Sequence, residues 1–145
     1  MQTQSFMVDV PGGQVFVQRW QPASATSGAA CPIVLLHESL GSVGQWHDFP
    51  ARLAQATGRE VLAYDRLGFG QSSPRSDAPS LQFIAHEAQQ HFPALVAALG
   101  LERYALLGHS VGAVMALHIA AAHPAQCQAV LSLSAQAYVQ PQTLE

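Results

Sequence analysis

The chain has 145 residues, is 49% hydrophobic and 10% charged, and carries a formal net charge of −3 with six Lys plus Arg against nine Asp plus Glu. That length suits one domain, 1–145, and that composition a large core rather than disorder. So few basic residues give no electrostatic basis for binding nucleic acid or an anionic membrane surface. No stretch approaches the ~18 consecutive apolar residues of a membrane span. Residues 1–8 lack the charged and apolar regions of a signal peptide, so a cytoplasmic location is expected.

Residues 5–10 and 14–20 flank Pro11-Gly12-Gly13 and read as a β-hairpin. Residues 21–30, rich in Ala and Ser, form a surface loop. The continuous apolar run 32–36 fits a strand buried on both faces. A helix follows over 49–57, with Pro50 in its first turn and Gly58 as its stop, and then a second buried strand over 61–64. Residues 80–99 are expected to be helical, with Ser80 as N-cap, Gly100 as the C-terminal stop and a kink or restart at Pro93. A strand begins at Tyr104, a helix spans 111–122, and a last strand runs over 128–134. A hairpin followed by alternating strands and helices predicts an α/β fold with a mostly parallel, doubly wound sheet. Its functional groups should gather at the carboxyl ends of the strands. Cys31 and Cys127 open two strands that, with one strand between them, stand about 9–10 Å apart. That is too far for a disulfide.

Gly108-His109-Ser110-Val111-Gly112 spells G-x-S-x-G between a short apolar strand and a small-residue helix. This is the setting in which a serine sits on a sharp strand-to-helix turn and projects its hydroxyl from the end of the sheet. The helix behind Ser110 begins with unpaired N–H groups and a positive dipole end, both suited to a developing oxyanion. Ser110 is the candidate nucleophile.

Two more loops sit at predicted strand ends: His37-Glu38-Ser39-Leu40-Gly41, and Asp65-Arg66-Leu67-Gly68-Phe69-Gly70-Gln71-Ser72. In this order, the three loops resemble the N-terminal half of an α/β-hydrolase-fold serine hydrolase, up to about the sixth strand. The resemblance implies an oxyanion hole made by the backbone N–H groups of Ser39 and Val111, and a pocket lined by His37, Glu38, Leu40 and His109. Glu38 stands where that family usually has a glycine-type residue. Its carboxylate is expected to salt-bridge Arg66, to orient a water, or to point to solvent. The Asp65 stretch resembles a structural turn of the family, with Gly68 and Gly70 allowing its tight path and Asp65 accepting backbone hydrogen bonds.

His109, next to the serine on a sharp turn, is poorly placed to act as its base. His118 lies two helical turns on, roughly 12 Å away at 1.5 Å per residue, and His123 lies past the helix end. His86 and His91, with Glu87, Gln89 and Gln90, read as a solvated helix face. No spacing of His, Cys, Asp or Glu resembles a metal site, and no dinucleotide or Walker-type loop is present; neither cofactor nor metal is expected.

An activated serine needs a base and an orienting carboxylate. In the family these follow the serine in the order acid, then His. After Ser110 the chain offers only His118, His123 and Glu145, none suitably placed, and 138–145 falls where the family would begin its lid. The favoured reading is therefore an incomplete fold: the N-terminal portion of a longer hydrolase, truncated, cleaved or completed by another chain. Its chemistry would be acyl transfer from a small ester-type or other activated acyl substrate through an acyl-enzyme at Ser110. Carbon–carbon bond hydrolysis and acyl transfer to other acceptors use similar loops. The competing reading is a non-catalytic binding or assembly module. Either way, the sixth strand would be a bare apolar edge, prone to self-association or to pairing with a complementing C-terminal half.

Overall fold

The computed structural model describes residues 1–23, 30–78 and 80–136. Most of the predicted 21–30 loop and all of 138–145 lie outside the described residues.

Strands β1 (Gln2–Val10) and β2 (Gly13–Gln21) form an antiparallel hairpin in which Val10 pairs with Gly13. Gly12 adopts φ 94°, a conformation that L side chains rarely take, so the tight turn after Pro11 needs glycine there. Both strands run longer than their alternation indicated. Residues 2–4 pair with 19–21 although their side chains are polar, because an edge ladder needs only backbone groups and tolerates a solvated face.

The remaining strands are β3 (Ile33–Leu36), β4 (Val61–Tyr64), β5 (Tyr104–His109) and β6 (Cys127–Leu133). The sheet order is β1-β2-β4-β3-β5-β6. β2 runs antiparallel to β4, and β4, β3, β5 and β6 are parallel. Every residue of β3 and β4 is buried, as expected of central strands covered on both faces. β5 separates β3 from β6 as anticipated, and Cys31 and Cys127 are both free thiols.

Helix α1 (Phe49–Thr57) covers one face. There Ala54 packs with Ile33, Leu35, Val61, Ala63 and Leu107. On the other face, Phe92, Leu95, Met115 and Ile119 close over Val34, Leu36, Leu62, Tyr64 and Leu106. Each fully buried side chain of this kind contributes about 1.5–3 kcal/mol relative to exposure.

The helix expected over 80–99 is in three parts: α2 (Phe83–His86), a π-helical turn (Glu87–His91) and α3 (Phe92–Ala98). Pro93 sits in the first turn of α3. Its missing N–H and its ring are incompatible with an unbroken α-helix, and the widened turn before it accommodates both. Ser80 does not cap this helix directly; its Oγ accepts from Gln82 N at 3.0 Å, one turn ahead of α2. Helix α4 (Val111–Ala122) follows β5 directly. Among the described residues no helix is long and apolar enough to cross a membrane.

Candidate active site

Ser110 lies between the last residue of β5 and the first of α4, with φ 54° and ψ −118°. A non-glycine residue held there costs on the order of 1–3 kcal/mol and persists only where its surroundings enforce it. They do so on both sides. A Cβ on Gly108 would lie 2.2 Å from Gly112 O, and one on Gly112 would lie 2.1 Å from Leu36 O. Helix α4 therefore runs so close to β5 at Gly108 and to the end of β3 at Gly112 that only glycine fits at either position. The elbow is also tied by hydrogen bonds. Ser110 N–H donates to Leu133 O at 2.9 Å, and Ala113 and Val114 N–H donate to Ser110 O. The Ser110 side chain makes no capping bond to the helix. The Val111 N–H, at the start of α4, has no acceptor within the helix.

The loop after β3 is built from beneath. His37 is buried. Its Nδ1 faces Glu38 O at 2.7 Å while its Nε2 accepts from Arg66 N at 3.1 Å, which makes Nδ1 the protonated nitrogen. Burial, reinforced by the adjacent Arg66 guanidinium, lowers its pKa from 6.5 to about 3. His37 is thus a neutral brace. Arg66 is buried as well. It donates to His37 O at 2.6 Å and to Glu38 O at 2.7 Å, with its guanidinium 5.0 Å from the centre of the Phe69 ring.

The expected ion pair between Glu38 and Arg66 is not formed. Arg66 grips the backbone carbonyls of that loop, which leaves the Glu38 carboxylate on the outside. There it stands 3.7 Å from His109 Nδ1, both side chains being nearly half exposed. Ser39 and Leu40 form the tip of the loop, with Leu40 82% exposed.

Asp65 takes the structural part expected of it. Its Oδ1 accepts from Val43 N at 2.6 Å and its Oδ2 from Gln71 N at 2.7 Å. Gly70, at φ 51°, lies so close to this carboxylate that a Cβ would sit 2.0 Å from Oδ2. Asp65 thereby joins its own loop to the 3-10 turn Val43–Trp46.

That turn supplies residues the sequence did not single out. A cavity of about 250 Å³ is lined by His37, Glu38, Ser42, Gln45, Trp46 and His109; Leu40 is not part of the lining. A larger groove of about 470 Å³, at Met1, Gln21, Pro22 and Glu60, lies at the amino end of β4. The smaller cavity is the one at the carboxyl ends of β3 and β5, where catalytic groups collect in such sheets.

The reading of Glu87 and His91 as a solvated face is corrected. Glu87 is buried. Its Oε1 accepts from Tyr64 OH at 2.5 Å, and its Oε2 lies 3.3 Å from His91 Nδ1. Glu87 opens the π-helical turn on the face that also buries Ala88, Phe92 and Leu95, while Gln89 and Gln90 are exposed. Burial, and then Glu87, push the Tyr64 pKa well above 10. His118 is exposed on α4, and His123 Nε2 lies 3.0 Å from Ala88 O. Among the described residues no three His, Cys, Asp or Glu side chains are grouped to hold a metal ion.

Residues 32–144 match a family described as alpha/beta hydrolase fold. A proline iminopeptidase of Lactobacillus delbrueckii subsp. lactis is 33% identical over 101 residues, 68% of this chain and 34% of the relative. The crystal structure of the Mycobacterium smegmatis proline iminopeptidase superposes with a TM-score of 0.78 at 32% identity, covering 92% of this chain and 44% of that one. The naproxen esterase of Bacillus subtilis, at 23% identity, shares the fold with a TM-score of 0.76, over 92% of this chain and 44% of its own. The chain thus spans about a third of the length of the curated relatives it matches and under half of these solved structures.

Proposed function

The chain belongs to the alpha/beta hydrolase fold family, and from that premise we propose that it carries the nucleophile and the oxyanion-binding groups of a serine hydrolase. The substrate class is a small molecule with an ester-type or otherwise activated acyl group. One observation carries the reading: Ser110 is held at φ 54° on a strand-to-helix turn flanked by two glycines that admit no Cβ. A serine needed only for packing would not call for that geometry.

In this reading Ser110 Oγ bonds to the acyl carbon as its proton passes to a base. The carbonyl oxygen becomes an anion held by the N–H groups of Val111 and Ser39. Collapse breaks the bond to the leaving group, which takes up the proton. Water then repeats the sequence and releases the acid. The base would be a histidine with an orienting carboxylate. His109 and His118 do not serve, since His109 Nδ1 faces Glu38 and His118 is exposed two turns along α4. The names of the relatives, a peptidase and an esterase, agree with acyl-bond cleavage.

The same proposal assigns the free side of β6 to pairing with a further strand, from a complementing segment or a second copy. Leu131 and Leu133 are 53% and 40% exposed on this outermost strand.

The test of the serine is the intact mass of the protein after treatment with a fluorophosphonate probe. One adduct on the wild type and none on Ser110→Ala supports an activated nucleophile. No adduct on the wild type, or one that survives in Ser110→Ala, overturns it.

A further inference from the structure

The cavity beside the elbow carries one carboxylate and no guanidinium in its lining. The chain contains no lysine; all six basic residues are arginines. Arg66, from the loop after β4, is buried and engaged by the His37 and Glu38 carbonyls and the Phe69 face. His37 contributes no charge, because its pKa is lowered to about 3. Among the described residues that line the cavity, Glu38 therefore carries the one permanent charge. Among the described residues its carboxylate meets one partner, His109 Nδ1, at 3.7 Å. That is too long for a strong charge-assisted hydrogen bond, so a ligand donor can displace it at little cost.

The lining also includes an aromatic ring. Trp46 lines the cavity and is fixed by stacking on Phe49, with centroids 5.8 Å apart and planes 26° apart. Asp65 also holds the start of its turn through the Val43 N–H. Ser42 and Gln45 complete the lining with neutral polar groups. A carboxylate and an indole in the lining of one cavity, together with neutral hydrogen-bonding groups, are complementary to a compact cation.

We propose that this cavity receives a cationic, ammonium-type group of the substrate, held by the Glu38 carboxylate against the Trp46 ring. The inference deepens the proposed function and rests on it in one respect, that the reacting carbon lies at Ser110, next to His109. Glu38 is then a specificity-determining residue: it selects substrates with a positive charge close to the scissile bond and disfavours acyl groups bearing a carboxylate.

The test reads binding rather than turnover. The chain has two tryptophans: Trp20, in the core at 7% exposure, and Trp46. Benzylammonium is titrated into the 15N-labelled protein and both indole N–H signals are followed. The expected result is a saturable shift of Trp46 with Trp20 unmoved. Benzyl alcohol, similar in shape but uncharged, should bind about fivefold more weakly, and Glu38→Gln should weaken benzylammonium by about the same factor. Equal affinities for the two ligands, an unchanged affinity in Glu38→Gln, or no shift of Trp46 would each overturn the proposal. The two-ligand comparison uses wild-type protein, so it stands even where Glu38→Gln does not fold, and the Trp20 signal reports whether it has. Fluorophosphonate labelling of the same sample separates the two readings. Labelling without ammonium binding removes this inference alone; ammonium binding without labelling removes the acyl-enzyme alone.

Discussion

The α-carbon of Gly112 lies so near the carbonyl of Leu36 that a methyl group there would sit 2.1 Å from the oxygen. The atoms it would meet, Leu36 O and C and His37 O, are all backbone at the end of β3, so none can rotate aside. Gly112→Ala is therefore expected to cost about 3 kcal/mol, read from the midpoint of urea unfolding. Gly100 makes the control: it is exposed, and a Cβ there meets nothing within 4 Å. Its φ of 65° leaves a strain cost of about 1 kcal/mol for alanine. A Gly112→Ala loss no larger than that of Gly100→Ala would show that the elbow is not closely packed against β3.

His37 links stability to pH. Its folded pKa, about 3, lies below the ordinary histidine value of 6.5. Between these values the unfolded chain binds a proton that the folded chain refuses, so stability falls as pH falls. The contribution is complete above pH 6.5 and is lost progressively toward pH 3, with a limiting slope of about 1.4 kcal/mol per pH unit. His37→Asn should be less stable at neutral pH and should lack this part of the slope. Parallel pH profiles for the variant and the wild type between pH 6 and 4 would refute the assignment.

The buried carboxylate of Glu87 depends on the Tyr64 hydroxyl. Tyr64→Phe removes that donor without changing the shape of the ring and leaves His91 as the remaining side-chain partner of Glu87. A loss of about 2 kcal/mol is expected. Tyr64→Phe combined with Glu87→Leu should recover part of it, since both polar groups are then gone. A double variant less stable than either single one would count against the pair as described.

At the other edge of the sheet, Leu131 is 53% exposed on β6. If that strand pairs with another, Leu131→Lys should shift the protein toward smaller species in light scattering, as charges on edge strands do. A wild type that is monodisperse and monomeric at micromolar concentration would remove the pairing proposal outright.

The strand and helix order was legible because β3, β4 and β5 are short apolar runs bounded by loops, and because a G-x-S-x-G turn has few structural settings. The structural part of Asp65 followed from its family resemblance and is visible in its two backbone bonds. What escaped the sequence were partners and directions. Glu87 is buried because Tyr64, on a neighbouring strand, supplies a hydroxyl to its carboxylate, a partner that residue spacing alone does not announce. Arg66 could be paired with Glu38 by charge, yet the backbone carbonyls of His37 and Glu38 took its donors. Trp46 was silent because a four-residue 3-10 turn has too little periodicity to show which side faces a cavity.

Ser110 hangs by its own amide from Leu133, the last residue of the outermost strand. The strand-to-helix turn is thus moored to the margin of the sheet as well as to its middle. A protein that hangs a left-handed serine on such a mooring makes the seating of its border strand and the posture of the turn a single condition. Loosening one end slackens the other, at a distance of one hydrogen bond.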